Sequence, residues 1–298
     1  MTGHKAAIYS LAHGPASGTF FSGAGDGWIA SWNIDTPEKG ALVASTESNI
    51  FSILPLSNQQ TIVAGNMDGG LHWLDPENPT QTKNIAHHKK GTFSLLQIDD
   101  NLYSGGGQDL LTRWDIANAK SVESLRISGK SIRCLTYDPD EPALIAGCSD
   151  GAIHFIDPKA MSEFRVIPNA DQRSVFSLAF TICGRYLVSG GRDARLRIWD
   201  KENGYELIHT IPAHWFTINS VAVHPSLPLF ATGSRDKTVK IWSSETFDLL
   251  KVLNASSHKG HRNSVNALLW LSEHILLSAA DDRTIIAWSF EADSISHI

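Results

Sequence analysis

Serine, histidine and aspartate recur together in this sequence in sets that invite a hydrolytic reading. His4, Ser22 and Asp26 form one set, His214, Thr232 and Asp236 a second, and His261, Ser278 and Asp282 a third. A hydroxyl beside an imidazole beside a carboxylate is the constellation of nucleophilic acyl transfer. A catalytic set is needed once, whereas these return at matching offsets. They read as a structural unit, and no catalytic residue is assigned. Gly147-Cys148-Ser149-Asp150-Gly151 has the form of a nucleophile elbow, but that motif needs a strand-to-helix turn. No helical pattern follows Asp150, so a strand-to-strand turn is expected there. The run from Ser22 to Gly27 imitates a phosphate-binding glycine loop without a following helix to hold the phosphate. Among the 13 histidines, His87 and His88 would face opposite sides of a strand. His258 and His261 lack cysteines or carboxylates at ligand spacing, so neither metal nor cofactor is expected. Cys134 and Cys148 fall on adjacent expected strands and read as reduced, half-buried thiols, with a disulfide left open.

The elements that carry these residues form a repeat. A small-Gly-small-x-Asp phrase is followed, six residues after the Asp, by Trp or a bulky apolar residue. Clear copies are Ser22–Trp32, Ser189–Trp199, Thr232–Trp242 and Ser278–Trp288, and weaker ones are Ala64–Leu74, Ser104–Trp114 and Ala146–Ile156. The closing residues stand 42, 40, 42, 43, 43 and 46 apart. Upstream of each lies an apolar or β-branched residue, a variable one, a small one, then another apolar one: Ile8-Tyr9-Ser10-Leu11 is the first, Val265-Asn266-Ala267-Leu268 the last. In the sixth unit short apolar runs at Ser220–Val223, Leu229–Gly233, Val239–Trp242 and Leu249–Leu253 are separated by turn residues. These are strand signals, with helix limited to a single turn.

The chain has 298 residues, 25 Lys plus Arg against 31 Asp plus Glu, and a net charge of −6. That mildly acidic balance disfavours nucleic-acid binding, which needs a dense basic face. No apolar run is long enough for a transmembrane helix, and the first residues lack a signal-peptide pattern. Three cysteines suit a reducing compartment, so a cytoplasmic location is expected. The 23 glycines and 19% charged residues fit buried strands joined by tight turns.

Seven units of about forty residues with four strands each are a propeller signature. Over essentially its whole length the chain resembles the WD40-repeat β-propellers, with Trp114-Asp115 and Trp199-Asp200 as literal Trp-Asp pairs. The resemblance implies an all-β, seven-bladed propeller forming a single domain over residues 1–298, most blades four-stranded. It also implies that each His, Ser/Thr, Asp and Trp quartet is a hydrogen-bonded network within a blade. Units two and four hold Thr46, Ala64, Leu74 and Ser128, Ala146, Ile156 in the His, Ser and Trp slots. There the network is expected to be absent as a whole, while Asp68 and Asp150 keep a role in the turn. Asp171 in a His slot and Gln108 in an Asp slot predict altered networks in units five and three.

Propellers of this family commonly present the face where the innermost strands begin to peptides at the central opening. Carried over position by position, the resemblance implies a partner-binding ring of Tyr9, Phe51, Phe93, Arg133, Phe176, Asn219 and Asn266, joined by Met67, Arg192, Arg235 and Asp281 before the turn Asp. Interblade packing is the competing role for the aromatics. The arginines are harder to bury and suggest a basic sector over units four to six. Trp215 and Phe216 lie in a loop that either contacts a partner or packs on a neighbouring blade. The expected function is a non-catalytic scaffold for protein or peptide partners, with no small-molecule substrate. A propeller enzyme with an active site at the channel entrance, or a subunit of a nucleic-acid-associated complex, is the alternative. Only three residues precede His4 and ten follow Trp288. The seventh blade should therefore have a short outer strand at Ile295–Ile298 or none, and closure should rest on packing between blades one and seven.

Overall fold

The computed structural model describes residues 1–57 and 61–290. Among them are seven antiparallel sheets, six of four strands and one of three, each running from the innermost strand outward in chain order. The innermost strands are Ile8–His13, Ile50–Pro55, Thr92–Ile98, Ile132–Asp138, Val175–Phe180, Ile218–Val223 and Val265–Ser272. Each contacts the next, and the last contacts the first, so the sheets stand as blades of a closed ring. The sixth blade, Ile218–Val223, Leu229–Ser234, Val239–Ser243 and Leu249–Leu253, follows the expected strands closely. Its only α-helical neighbour is the single turn Ala255–His258. Among the described residues no helix is long and apolar enough to cross a membrane.

The small-Gly-small phrase has a packing cause. Its glycine ends the second strand of a blade where the first apolar residue of the next innermost strand presses against it. A Cβ at Gly23 would lie 2.5 Å from Ile50 Cγ2, at Gly147 2.7 Å from Val175 Cγ1, and at Gly190 2.7 Å from Ile218 Cγ2. Those partners, Ile50, Val175 and Ile218, are fully buried. Blade seven has Ala279 at this position, in one apolar cluster with Ile8 of blade one. The repeated glycine therefore sets the distance between blades, which is the contact that stabilises a ring of units unable to bury both faces alone.

The seventh blade consists of Val265–Ser272, Ile275–Ala280 and Ile285–Ser289. The strand expected at Ile295–Ile298 lies outside the described residues. Closure corrects the expectation that packing alone joins blades one and seven. The Met1 amino group donates to Ile285 O at 2.6 Å. Ile285 N–H returns a bond to Met1 O at 3.0 Å, and Thr2 bridges Thr284. Two residues are too few to count as a strand, yet they suffice for one reciprocal pair of ladder bonds along the outside of the blade.

Overpacking a filled interblade contact typically costs about 1–3 kcal/mol. Gly190→Val is therefore expected to lower the urea midpoint by a corresponding amount without altering the slope. An unchanged midpoint would show that this glycine does not set the blade spacing.

Candidate functional site

The complete quartets lie in blades one, six and seven. Trp32 Nε1–H donates to Ser22 Oγ at 2.8 Å, Ser22 Oγ meets His4 Nε2 at 2.7 Å, and His4 Nδ1 meets Asp26 at 3.1 Å. In blade six the corresponding distances are 2.9 Å from Trp242 to Thr232, 2.7 Å from Thr232 to His214 and 2.8 Å from His214 to Asp236. In blade seven they are 2.8, 2.8 and 3.0 Å through Trp288, Ser278, His261 and Asp282. The indole only donates, so the hydroxyl accepts from it and donates to Nε2, leaving Nδ1–H for the carboxylate. Ser22, Thr232 and Ser278 are fully buried, where no substrate reaches them. Burial alone would raise the Asp236 carboxyl. Hydrogen bonds and charge from His214, with bonds from Thr238 and the Trp215 N–H, instead hold it well below the usual carboxylate range.

The other blades solve the same satisfaction problem differently. In blade three Trp114 and His88 still converge on Ser104, both at 2.8 Å. Gln108 is exposed, and among the described residues buried His88 Nδ1 has no partner. Burial, then the neighbouring His87, lowers the His88 pKa to about 3. Blades two, four and five lack the slot histidine, and each substitutes a side chain two residues before the Trp slot. His72 lies 3.0 Å from Asn66 and 2.6 Å from Asn84. His154 lies 3.1 Å from Asp150 and 2.6 Å from Glu163. Arg197 clamps Asp193 at 2.5 Å, while Asp171 in the His slot accepts the N–H groups of Arg173, Ser174 and Asp193.

Asp150 keeps its turn role, accepting Ala152 N–H at 2.9 Å. In blade two Asn66 rather than the exposed Asp68 accepts the Gly70 N–H, at 2.7 Å. Sequence reasoning missed His72, His154 and Arg197. Their signal is a polar residue on the third strand wherever the slot histidine is absent.

Around the channel the seven inferred ring residues are all half-buried, and the four aromatics lie outside the buried core clusters. Tyr9 packs edge-on to Phe51 at 5.1 Å between centroids, and Phe51 lies 5.5 Å from Phe93. The Arg133 guanidinium stands 4.2 Å from the Phe93 centroid and 5.5 Å from that of Phe176. Its Nε donates to Ser149 Oγ at 2.8 Å, so Ser149 of the apparent nucleophile elbow anchors this arginine, and the strand Ile153–Asp157 follows it. Asn219 donates to Val265 O at 2.8 Å, and Asn266 to Ile8 O at 3.0 Å and Asp281 at 2.7 Å. Met67, Arg192, Arg235 and Asp281 are exposed on the same face.

Among the described residues no ring contact or hydrogen bond joins Phe176 to Asn219. At that interruption a cleft of about 340 Å³ opens between blades five and six, lined by Gln172, Arg173, Arg192, Trp215, Phe216 and Arg235 among others. Trp215 is 88% and Phe216 58% exposed, so the loop presents these rings rather than packing them. Blade six's network holds it: Trp215 N–H donates to Asp236 at 3.1 Å, and Ser234 Oγ donates to Phe216 O at 3.0 Å. Arg173, unanticipated from sequence, occupies the matching loop of blade five, two residues after the His slot. On the opposite face an 810 Å³ cavity, lined largely by apolar side chains including Leu11, Phe21, Val43 and Leu54, lies between blades one and two. Nothing in the repeat pattern signalled it.

His88 generates a pH prediction. Its folded pKa of about 3 lies below the ordinary value near 6.5, so the unfolded chain binds this proton first. Its stabilisation is complete above roughly pH 6.5 and is lost as pH falls toward 3, at up to ~1.4 kcal/mol per pH unit. His88→Gln should flatten this part of the stability–pH curve measured by urea unfolding; an unchanged slope would refute the assignment.

A family model described as "WD domain, G-beta repeat" matches residues 1–33, 120–157, 163–200, 205–243 and 253–289. The stretch 34–119, which the family model does not match, contains blade two and the inner three strands of blade three. The 66 kDa stress protein of Physarum polycephalum is 25% identical over 301 residues, covering 98% of this chain and 47% of that protein. Actin-interacting protein 1 of Caenorhabditis elegans is 23% identical over 300 residues, covering 96% and 47%. The nuclear distribution protein nudF of Emericella nidulans is 28% identical over 200 residues, covering 60% and 43%. The chain thus spans about half the length of these curated relatives. Seven blades, three complete Trp–hydroxyl–His–Asp networks and the matched repeats lead to one conclusion: this chain belongs to the WD40-repeat family.

Proposed function

We propose that the protein is a non-catalytic scaffold that receives an acidic, aromatic-bearing segment of a partner protein across the channel face, anchored between blades five and six. One observation carries this reading. Arg173, Arg192 and Arg235 line a single cleft, and among the described residues none is paired with a carboxylate, although the chain carries a net charge of −6. Asp193, the acid in the cleft, is already committed to Arg197. Three free guanidinium groups seek planar anionic acceptors, and exposed Trp215 and Phe216 beside them offer the aromatic surface typical of binding hot spots. The ring from Tyr9 through Phe176 extends this surface around the channel. Arg133 is less available than its neighbours, since it is held between two rings and bonded to Ser149. The whole chain acts in this reading as one rigid unit. A reducing, cytoplasmic setting is the proposed compartment, supported by three unpaired cysteines.

Affinity capture from the native host with wild-type, Arg192→Glu, Trp215→Ala and Phe93→Ala chains tests the reading. Loss of a hot-spot side chain costs 2 kcal/mol or more, roughly a 30-fold weakening. Partners recovered by the wild type should therefore be depleted by Arg192→Glu and Trp215→Ala, and Arg192→Glu should also reduce the salt sensitivity of capture. Folded variants that retain every wild-type partner would remove the channel face from consideration.

A further inference from the structure

Blades two and four share one construction built with different chemistry. In blade two a third-strand histidine, His72, is held between two amides, Asn66 on the second strand and Asn84 on the outer strand. In blade four Cys148 occupies the position of Asn66, His154 that of His72, and the outer strand supplies Glu163. Amides satisfy an imidazole by hydrogen bonding alone. A thiol and carboxylates around the same ring form a set of metal ligands.

The cluster is compact. One ligand atom each from Cys148, Asp150 and His154 lies within 4.8 Å of the other two. Cys148 and His154 are buried, and the Asp150 side chain, 26% exposed, opens the cluster to the channel face. His154 Nδ1 lies 2.6 Å from Glu163 Oε2 while Nε2 is directed to Asp150 at 3.1 Å. A carboxylate on one imidazole nitrogen that fixes the other for a metal is the usual outer-shell arrangement of a zinc histidine.

Stabilising a blade without the slot histidine does not require the cysteine. Blade five achieves this with Arg197 on Asp193 while Gly191 stands where Cys148 stands here. Nor is the combination repeated: the Cys148 and His154 positions hold Ala24 and Ala30 in blade one, and Ser234 and Lys240 in blade six. Cys148, Asp150, His154 and Glu163 are assembled across three strands and a turn, which spacing along the chain does not reveal.

We propose that blade four binds a zinc-class divalent cation through Cys148 Sγ, an Asp150 carboxylate oxygen and His154 Nε2, with Glu163 orienting His154. The thiolate selects zinc over magnesium or calcium. Three protein ligands leave one position for water or a partner's side chain. Binding forms the metal–sulfur bond and releases the Cys148 thiol proton to solvent. His154 keeps its proton on Nδ1, facing Glu163.

The test uses Co²⁺ alone as the probe, added anaerobically to the full chain carrying Cys183→Ser, which removes the exposed thiol. One ion per chain should bind and give a thiolate-to-cobalt charge-transfer absorption that Zn²⁺ abolishes by displacement. Cys148→Ser should lose the band, His154→Gln should lose stoichiometric binding, and Glu163→Gln should weaken binding about 10–100-fold. Circular dichroism confirms folding, and if Cys148→Ser does not fold, Asp150→Asn is judged by the loss of stoichiometric binding. No charge-transfer band in the folded chain at excess Co²⁺, or a band that survives Cys148→Ser, would overturn the proposal.

Discussion

Five buried indoles, Trp32, Trp114, Trp199, Trp242 and Trp288, give their N–H to a hydroxyl on the neighbouring strand, and much of this propeller's internal polar structure follows from the requirement this sets on the hydroxyl. Once Trp32, Trp242 or Trp288 donates to a hydroxyl, the hydroxyl proton needs an acceptor, and the imidazole that supplies it needs a carboxylate. The chain of bonds ends only at Asp26, Asp236 or Asp282 on the channel face, where the carboxylate also captures the backbone N–H of Lys5, Trp215 or Arg262. Packing at the base of the blade thus sets the position of the loops on its presenting face. Where the indole is replaced by Leu74 or Ile156 the requirement disappears, and the blade is free to use other chemistry around its turn.

That freedom explains which parts of the molecule were legible in the sequence. Blade number and strand order follow from the phrase that ends at Trp32, Trp199, Trp242 and Trp288, because it encodes close packing and turn geometry at a fixed period. The ring from Tyr9 to Asn266 was implied by the family resemblance, and the structure brings Tyr9, Phe51, Phe93, Arg133 and Phe176 into successive contact. Substitutions within the repeat were harder to read. Asn66 displaces Asp68 because an amide both accepts from Gly70 N–H and reaches His72, a choice visible only when two strands are laid side by side. The cleft was anticipated in pieces. Arg192, Arg235 and Trp215 were each singled out, but their meeting with Arg173 depends on how blades five and six diverge.

The cleft joins irregular blade five to regular blade six, which supplies Trp215, Phe216 and Arg235. Arg133, Arg173 and Arg192 belong to blades four and five, whose slot histidines are Ser128 and Asp171. With Asp171 taking the backbone N–H groups of Arg173 and Ser174, the blade-five loop acquires a conformation of its own, and Arg197 neutralises the turn carboxylate that would otherwise compete for a ligand. Burial raises the Asp171 carboxyl, whereas the bonds and charge of Arg197 overcome burial to lower that of Asp193. Arg197 thus holds Asp193, and among the described residues Arg173, Arg192 and Arg235 are paired with no carboxylate.

The regular blades have an equally specific place. The complete quartets fall in blades six, seven and one, which are contiguous around the seam between the last blade and the first. At that seam the backbone contributes, among the described residues, the Met1 and Ile285 pair and the Thr2–Thr284 bridge. Side chains supply the remainder. Asn219 donates from blade six to Val265 O in blade seven, and Asn266 from blade seven to Ile8 O in blade one. Ile8, Phe20, Trp32, Leu277 and Ile285 form one buried cluster across the joint. An amide aimed at the neighbouring backbone restrains rotation between blades, which apolar contact alone does not, since apolar burial is non-directional. Asn219 and Asn266 therefore act as interblade ties.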